Sequence, residues 1–486
     1  MALTSIDYVI ISAYLIGITS LGIYLGRGQR NTRDYFLADK HIPWWIVTGS
    51  IVATETSTLT FVSVPGIAYQ ANLAFLQLTL GYMVGRVIIS FVLIPHYFKG
   101  ELFTSYELLN RIFGSKVKNV SSSIFLVTRS LSDGVRLYLT ALVFSIMIPS
   151  IGVFWSTVIM MVCTLIFTFT GGMKAVVWTD FTQLVIYVTG AIFVALTLLS
   201  SIPGGLSGAI SAANSFDKLS FLDFSFGLAK EYTFWGGMLG GIFLTLSTHG
   251  TDQLMVQRYL SCDTKRHAQL SLITSGFVVF LQFSLFLFIG VLLFVFYNNA
   301  GQTFSTPDKV FPSFIVNHLP TGLAGLLIAA VFSASISTLS SSLNSLSSVT
   351  VNDFYKPYVA KQTSEKHLLA VSRFTTLGWG VILILTALIT SGWGIAVEVG
   401  LTIQSITAGS VLGIFLLGIF IKNKNEWGGI IGMVSGLSVV LAIHLTGNVS
   451  WPWYSILGTL ITLFVGSLIS HLLNQRIKTK RGTLGK

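Results

Sequence analysis

Residues 49–66 read GSIVATETSTLTFVSVPG. They sit inside a segment, 43–69, long enough to cross a bilayer, which takes about 20 mostly apolar residues. Yet Thr54, Glu55, Thr56, Ser57, Thr58 and Thr60 fall where the membrane centre would be. Clustered Ser and Thr hydrogen-bond to nearby backbone and so compete with a helix. Gly49, Pro65 and Gly66 loosen it further. The stretch therefore predicts an interrupted helix. Non-helical backbone at that depth is tolerated only where it lines a cavity or is covered by protein. A second stretch repeats the theme: TLSTHGTDQ, 245–253, breaks the segment 232–257, which opens with the glycine-rich WGGMLGG.

The rest of the chain supports a membrane setting. Of 486 residues, 52% are hydrophobic and only 10% charged, with mean hydropathy +0.77. Thirteen segments qualify as spans, near 6–26, 43–69, 72–98, 119–149, 152–170, 178–202, 232–257, 268–297, 311–355, 368–390, 394–421, 426–446 and 452–474. The apolar runs are continuous and do not alternate, so helices and not a barrel are expected. The 311–355 segment exceeds what a bilayer needs and is expected to bend or to project. With the N-terminus outside, the inner links 27–42, 99–118, 171–177, 258–267, 356–367, 422–425 and the tail 475–486 hold 22 of the 29 Lys and Arg. The outer loops hold Lys218, Lys230 and Lys309. Positive-inside bias then predicts N-out, C-in, in a plasma (inner) membrane. The net charge of +11 is a topology signal and not a nucleic-acid footprint. Cys163 and Cys262 are too few for a disulfide framework or a metal site, and the inner link 104–114 reads as an amphipathic interfacial helix.

The two interrupted spans are the second and the seventh, five apart. Discontinuous helices in matching positions of two halves point to a transporter site. Residues 43–202 and 232–421 then form two inverted five-helix repeats, joined by the outer connection 203–231. They are preceded by a first helix and basic loop (1–42) and followed by two accessory helices and a basic tail (422–486). The ninth span carries eleven Ser or Thr between Ser333 and Thr350. Ala334, Ser337, Thr338, Ser341 and Ser345 share one helical face. That face is either a small-residue helix seam or an oxygen-lined seat for a hard cation. Charges inside the spans add candidates. Asp133 and Arg136 can pair at i, i+3, or Arg136 can receive an anionic solute group. Arg86 suits a carbonyl or carboxylate partner. Asp180 lies near the inner surface, within reach of hydration, and is a candidate cation ligand.

At this point the chain resembles the sodium/solute symporter family of sodium/glucose, proline, sialic acid, iodide and multivitamin cotransporters. The resemblance rests on DYFLADKHIPWW (34–45), ATETSTLTFVSVPGIAY (53–69), YELLNRIFG (106–114), GGMKAVVWTDFTQ (171–183), GTDQLMVQRYL (250–260), STLSSSLNSLSSVTVNDFY (337–355) and GIFLLGIF (413–420), in order. It implies an all-α membrane protein with a leucine-transporter-like five-plus-five core. It implies Na+ as coupling ion, without an organic cofactor. The family's general sodium site matches the carbonyls of Ala53, Thr56 and Ala334 and the hydroxyls of Ser337 and Thr338. A second site found in some members matches Asp180, Ser340 and Ser341. By position the solute site draws on Ser57, Thr60, Gln77, Thr79, Arg136, Thr245, Thr248, His249 and Gln404. Where the sialic acid group places its carboxylate-binding arginine, about one turn from Arg136, this chain has Ser132.

The expected function is sodium-coupled import of a small polar organic solute by alternating access, in a lipid bilayer and without an obligatory protein partner. Proton coupling through Glu55, His249 or Asp252 is the rival within transport. An intramembrane enzyme lacks its motifs here, since the chain has no HExxH, no GxSxG and no paired carboxylates. A solute sensor or channel stays open, and solute-independent sodium current would mark it.

Overall fold

A computed structural model describes residues 3–26, 42–98, 105–168, 173–359 and 365–484. Residues 27–41, 99–104, 169–172 and 360–364, at the inner links, lie outside the described residues. All regular structure among the described residues is helical: α1 (Ser5–Gly26), α2 (Trp44–Glu55), α3 (Thr58–Gln70), α4 (Leu76–Val92), α5 (Ser105–Phe113), α6 (Ser115–Met147), α7 (Gly152–Thr168), α8 (Met173–Ser201) and α9 (Gly205–Ser215) in the first part. The second part holds α10 (Phe234–Thr248), α11 (Gln253–Leu260), α12 (Lys265–Asn299), α13 (Val310–His318), α14 (Leu323–Val349), α15 (Glu365–Thr390), α16 (Ala396–Phe420), α17 (Glu426–Thr446) and α18 (Tyr454–Leu484). Among the described residues nine helices are long and apolar enough to cross a membrane, or ten if the bent pair α2/α3 counts as one span. Three more apolar helices are shorter. The amphipathic link helix is present as α5.

Both interrupted spans are interrupted. α2 starts after Pro43 and stops at Glu55; Thr56 (φ −81°, ψ 57°) and Ser57 (φ −72°, ψ 178°) leave helical geometry. α3 then resumes at a 60° bend. The second break falls between Thr248 and Gln253, where Asp252 caps α11 by accepting from the Leu254 amide at 2.8 Å. The 311–355 segment is corrected in one respect. Instead of bending as one element it divides into α13 and α14, because Pro320 lacks an amide donor and Gly322 takes φ 91°. α14 runs on through a wide turn, Thr350–Tyr355, to Tyr358.

Small residues set how closely the helices approach. α10 lies along α4, and a Cβ at Gly241 would stand 2.4 Å from the Leu78 carbonyl oxygen. α12 lies along α3, where a Cβ at Gly290 would stand 2.1 Å from the Pro65 carbonyl. Outside this core, Asp7 of α1 accepts from the amides of Gly322 (2.7 Å) and Gly325 (3.1 Å), capping α14.

Lys218, in the outer connection, closes the end of α3. Its ammonium donates to the carbonyls of Tyr69 (2.8 Å), Gln70 (3.1 Å) and Ala71 (2.8 Å) and sits 4.1 Å over the Phe294 ring. Burial pulls that ammonium below the usual lysine range. Lys218→Met strands carbonyls at a helix end, a loss of about 1–3 kcal/mol. Thermal unfolding in detergent should come earlier in Lys218→Met and be largely restored in Lys218→Arg.

Candidate functional site

The two breaks face one cavity of about 120 Å³. The first contributes Thr54, Glu55 and Ser57, with Thr60 on α3; the second contributes Thr245, Thr248, His249 and Asp252. α6 adds Arg129 and Arg136, α14 adds Thr338, and α16 adds Gln404. Phe75, Tyr82 and Phe283 supply the aromatic part of the lining, with Phe75 stacked on Phe283 at 5.5 Å. A smaller cavity of about 60 Å³ shares Arg129, Thr248, Asp252 and Gln404, and reaches the buried Ser132 and Tyr106 of α5.

Seven of the nine solute-site candidates therefore meet: Ser57, Thr60, Arg136, Thr245, Thr248, His249 and Gln404. Gln77 and Thr79 lie apart from this lining. Gln77 donates to the Ala74 and Tyr232 carbonyls at 3.1 Å each and accepts from the Asp223 amide at 2.9 Å, tying α4 to the outer connection. Thr79 is buried, its hydroxyl on the Leu76 carbonyl at 2.8 Å. The close α4/α10 seam takes up Gln77, which packs against Gly237.

Glu55 sits at the end of α2 and pairs with the fully buried Arg86, whose other nitrogen donates to Ser275 Oγ at 2.8 Å. His249 Nε2 lies 3.2 Å from Arg86 and 3.5 Å from Glu55, and its Nδ1 lies 3.0 Å from Thr248 Oγ1. So Arg86 has the carboxylate partner that its residue type suggested, and His249 is both a cavity wall and a member of this network. The open carbonyls of the second break are closed by tyrosines: Tyr97 donates to the Gly250 carbonyl at 2.6 Å and Tyr259 donates to that of His249.

On α6, Asp133 is fully buried between two arginines. Arg136 lies 2.5 Å from Oδ1 and Arg129 lies 2.9 Å from Oδ2. Ser342 of α14 bonds to the same Oδ2 and accepts from Arg129 Nε. The Arg136 Nε has no hydrogen-bond partner among the described residues. Arg129 escaped the sequence reading, although TRSLSDGVR places it four before Asp133 on the same face.

The cation-seat residues lie around the first break. Ala53 is among the last residues of α2, whose carbonyls have no intrahelical donor. Thr56 sits in the break, its hydroxyl oxygen 2.7 Å from both Val52 O and the Gln282 side-chain oxygen. Opposite, Thr338 Oγ1 lies 2.9 Å from the Ala334 carbonyl, and Ser337 Oγ lies 3.5 Å from Asp180 Oδ1. Thr58 reaches from α3 to the Val331 carbonyl of α14 at 3.4 Å. Neutral carbonyl and hydroxyl oxygens suit a hard monovalent cation. Gln282 comes from α12, far along the chain, and carried no local signal.

Asp180 is not hydrated as its position suggested; it is buried. Its carboxylate accepts from Ser50 (2.8 Å), Thr54 (3.5 Å) and Arg258 (3.1 Å) as well as Ser337, so it joins α2, α11 and α14. Ser340 is buried and Ser341 half-buried on the next turn of α14. Other hydroxyls on that helix serve packing: Ser347 bonds Thr375 at 2.7 Å and Ser345 its own Ser341 carbonyl at 2.9 Å.

A bundle of membrane-length helices with two broken members around a polar cavity is the architecture of a secondary transporter. The chain belongs to the sodium:solute symporter family, whose model matches residues 35–436. Sodium is therefore its coupling ion. It is 30% identical to the sodium/sialic acid symporter NanT of Aliivibrio fischeri over 98% of this chain and 95% of that one. It is also 30% identical to the human sodium/iodide cotransporter, over 92% of this chain and 70% of the relative. A solved sodium-coupled sialic acid symporter, substrate-bound and outward-open, superposes with TM-score 0.86 at 27% identity, covering 96% of this chain and 98% of that one. Inward-facing Mhp1 shares the fold, with TM-score 0.59 at 13% identity over 88% and 90% of the two chains.

Proposed function

We propose that the chain imports a small organic anion together with one or two sodium ions, by alternating access across the plasma (inner) membrane. One observation carries the choice of an anion: Arg136 lines the cavity, and its buried Nε has no hydrogen-bond partner among the described residues. A buried donor without a partner costs about 1–3 kcal/mol, which a solute carboxylate would recover with a charge-assisted bond. Asp252 and Gln404 in the same lining suit hydroxyl or amide groups of that solute. NanT, a sodium-coupled monocarboxylate transporter and the iodide cotransporter carry anions in their names, which agrees. Glu55 is engaged by Arg86, which disfavours it as a proton carrier.

In this reading the main sodium ion takes the carbonyls of Ala53, Thr56 and Ala334 with the hydroxyls of Ser337 and Thr338. A second ion, when present, takes Asp180, Ser340 and Ser341. Thirteen spans, N-out and C-in, organise as repeats 43–202 and 232–421, which the matching breaks support. The chain is a transporter and not an enzyme. One sodium crossing about 100 mV gains about 2.3 kcal/mol and a tenfold gradient adds about 1.4 kcal/mol; a monoanion crossing with it gives back the electrical part, so one sodium supports about tenfold accumulation and a second multiplies that several hundredfold.

The test is a thermal-shift screen of purified protein with sialic acid, propionate, iodide, glucose and proline, in sodium and in potassium. Sodium-dependent stabilisation by an anion is expected. Arg136→Gln should weaken that anion at least tenfold while the protein stays folded. Stabilisation by neutral solutes alone, or indifference to Arg136→Gln, refutes the reading.

A further inference from the structure

The serine-rich helix touches more than the cation seat. Thr338 and Ser342 stand one turn apart on α14, at i and i+4, and so on one face. Thr338 lines the central cavity and belongs to the proposed sodium seat. Ser342, fully buried, is bonded to Asp133, the carboxylate that also holds Arg129 and Arg136. A second contact pins the same two helices: Thr140 of α6 and Ser335 of α14 lie 2.6 Å apart. Ser335 and Ser342 are two turns apart, so α14 presents one row of hydroxyls to α6 and carries its cation ligands beside that row.

We infer that Ser342 is a positioning residue that couples the sodium seat to the solute-binding arginines, through the Asp133 carboxylate. This rests on the anion reading of Arg136 given above. Its physical content is a shared helix. Sodium draws Ser337 and Thr338 toward the break in α2/α3, and α14 moves as a rigid rod over a single turn. Ser342 moves with it. Asp133 follows the hydroxyl that donates to its Oδ2, and the two guanidiniums follow Asp133, because a carboxylate without water orients by its donors. With α14 out of place, Asp133 keeps its arginines in a geometry that does not match the solute. With α14 in place, both guanidiniums face the cavity as the structure has them. Coupling of this kind is reciprocal, so solute must tighten sodium by the same factor that sodium tightens solute.

The measurement is that factor. The probe is whichever of sialic acid, propionate and iodide stabilises the full-length wild-type protein most, its Kd determined in saturating sodium chloride and in potassium chloride. Sodium alone is titrated in parallel. In the wild type the ratio of the two probe dissociation constants should lie within the range of about 5 to 150 typical of coupled sites. Ser342→Ala should keep sodium-alone binding within about twofold and lower the ratio to less than about a third of the wild-type value. Ser342→Thr, which keeps the hydroxyl, should restore the ratio. A wild-type ratio in Ser342→Ala overturns the inference. So does an equal loss of sodium-alone binding and probe binding, which marks Ser342 as packing only. Arg136→Gln is read beside them and separates the two ideas. If it leaves the probe's affinity unchanged, the anion reading fails, while the Ser342 ratio still reports coupling by its own value.

Discussion

Arg86→Met should lower stability by about 3–5 kcal/mol, the usual result of removing one partner from a buried ion pair. Arg86 is fully buried, and its guanidinium holds together three things: Glu55 at the end of α2, Ser275 on α12 and His249 in the second break. Without it the Glu55 carboxylate keeps its charge beside an apolar helix seam, or takes a proton and loosens the break. Either way α2 and α10 lose their common anchor. The measurement is the thermal midpoint of purified protein and the yield of folded material. Glu55→Gln alone should also destabilise, by leaving Arg86 unpaired. The double variant Glu55→Gln/Arg86→Met should recover a large part of the combined loss. Strictly additive losses would show that the pair does not act as a unit.

The second large effect concerns the ion. Thr338→Ala removes one neutral oxygen from a site expected to have five, with no change in the charge or course of α14. Half-saturating sodium for uptake should rise at least tenfold, which corresponds to about 1.4 kcal/mol. Uptake at saturating sodium should fall far less, and the thermal midpoint in potassium should not move. Thr338 is half-buried and its hydroxyl bonds the Ala334 carbonyl of its own helix, so its removal leaves packing almost untouched. An unchanged sodium dependence would show that the ion sits elsewhere. Asp180 with Ser340 and Ser341 would then be the place to look.

Much of the architecture was legible because the membrane simplifies the physics. A run of apolar residues must be a helix there, and a knot of Thr and Ser at mid-depth must be a break or a cavity wall. Gly49–Gly66 and Thr245–Gln253 declared themselves on those grounds alone, and residues of both stretches line the cavity. What escaped was whatever depends on a partner far along the chain. Gln77 reads like a binding residue from its place on a span, yet its amide is taken by Tyr232 and Asp223, more than a hundred residues away. Asp180 reads as surface-near by counting residues, but Arg258 and Ser50 enclose it. Pro320 and Gly322 carried a local signal for the α13/α14 division, masked by the apolar run on either side.

The tyrosine hydroxyls on the second break bear on which backbone oxygens are left for an ion. Tyr97 and Tyr259 bring permanent donors to the carbonyls of Gly250 and His249, so that break carries its own covalently tethered stoppers, one from each part of the chain. On the proposed sodium reading, the oxygens of the first break wait on something dissolved. The two phenols occupy at Gly250 and His249 the places that an ion would otherwise need.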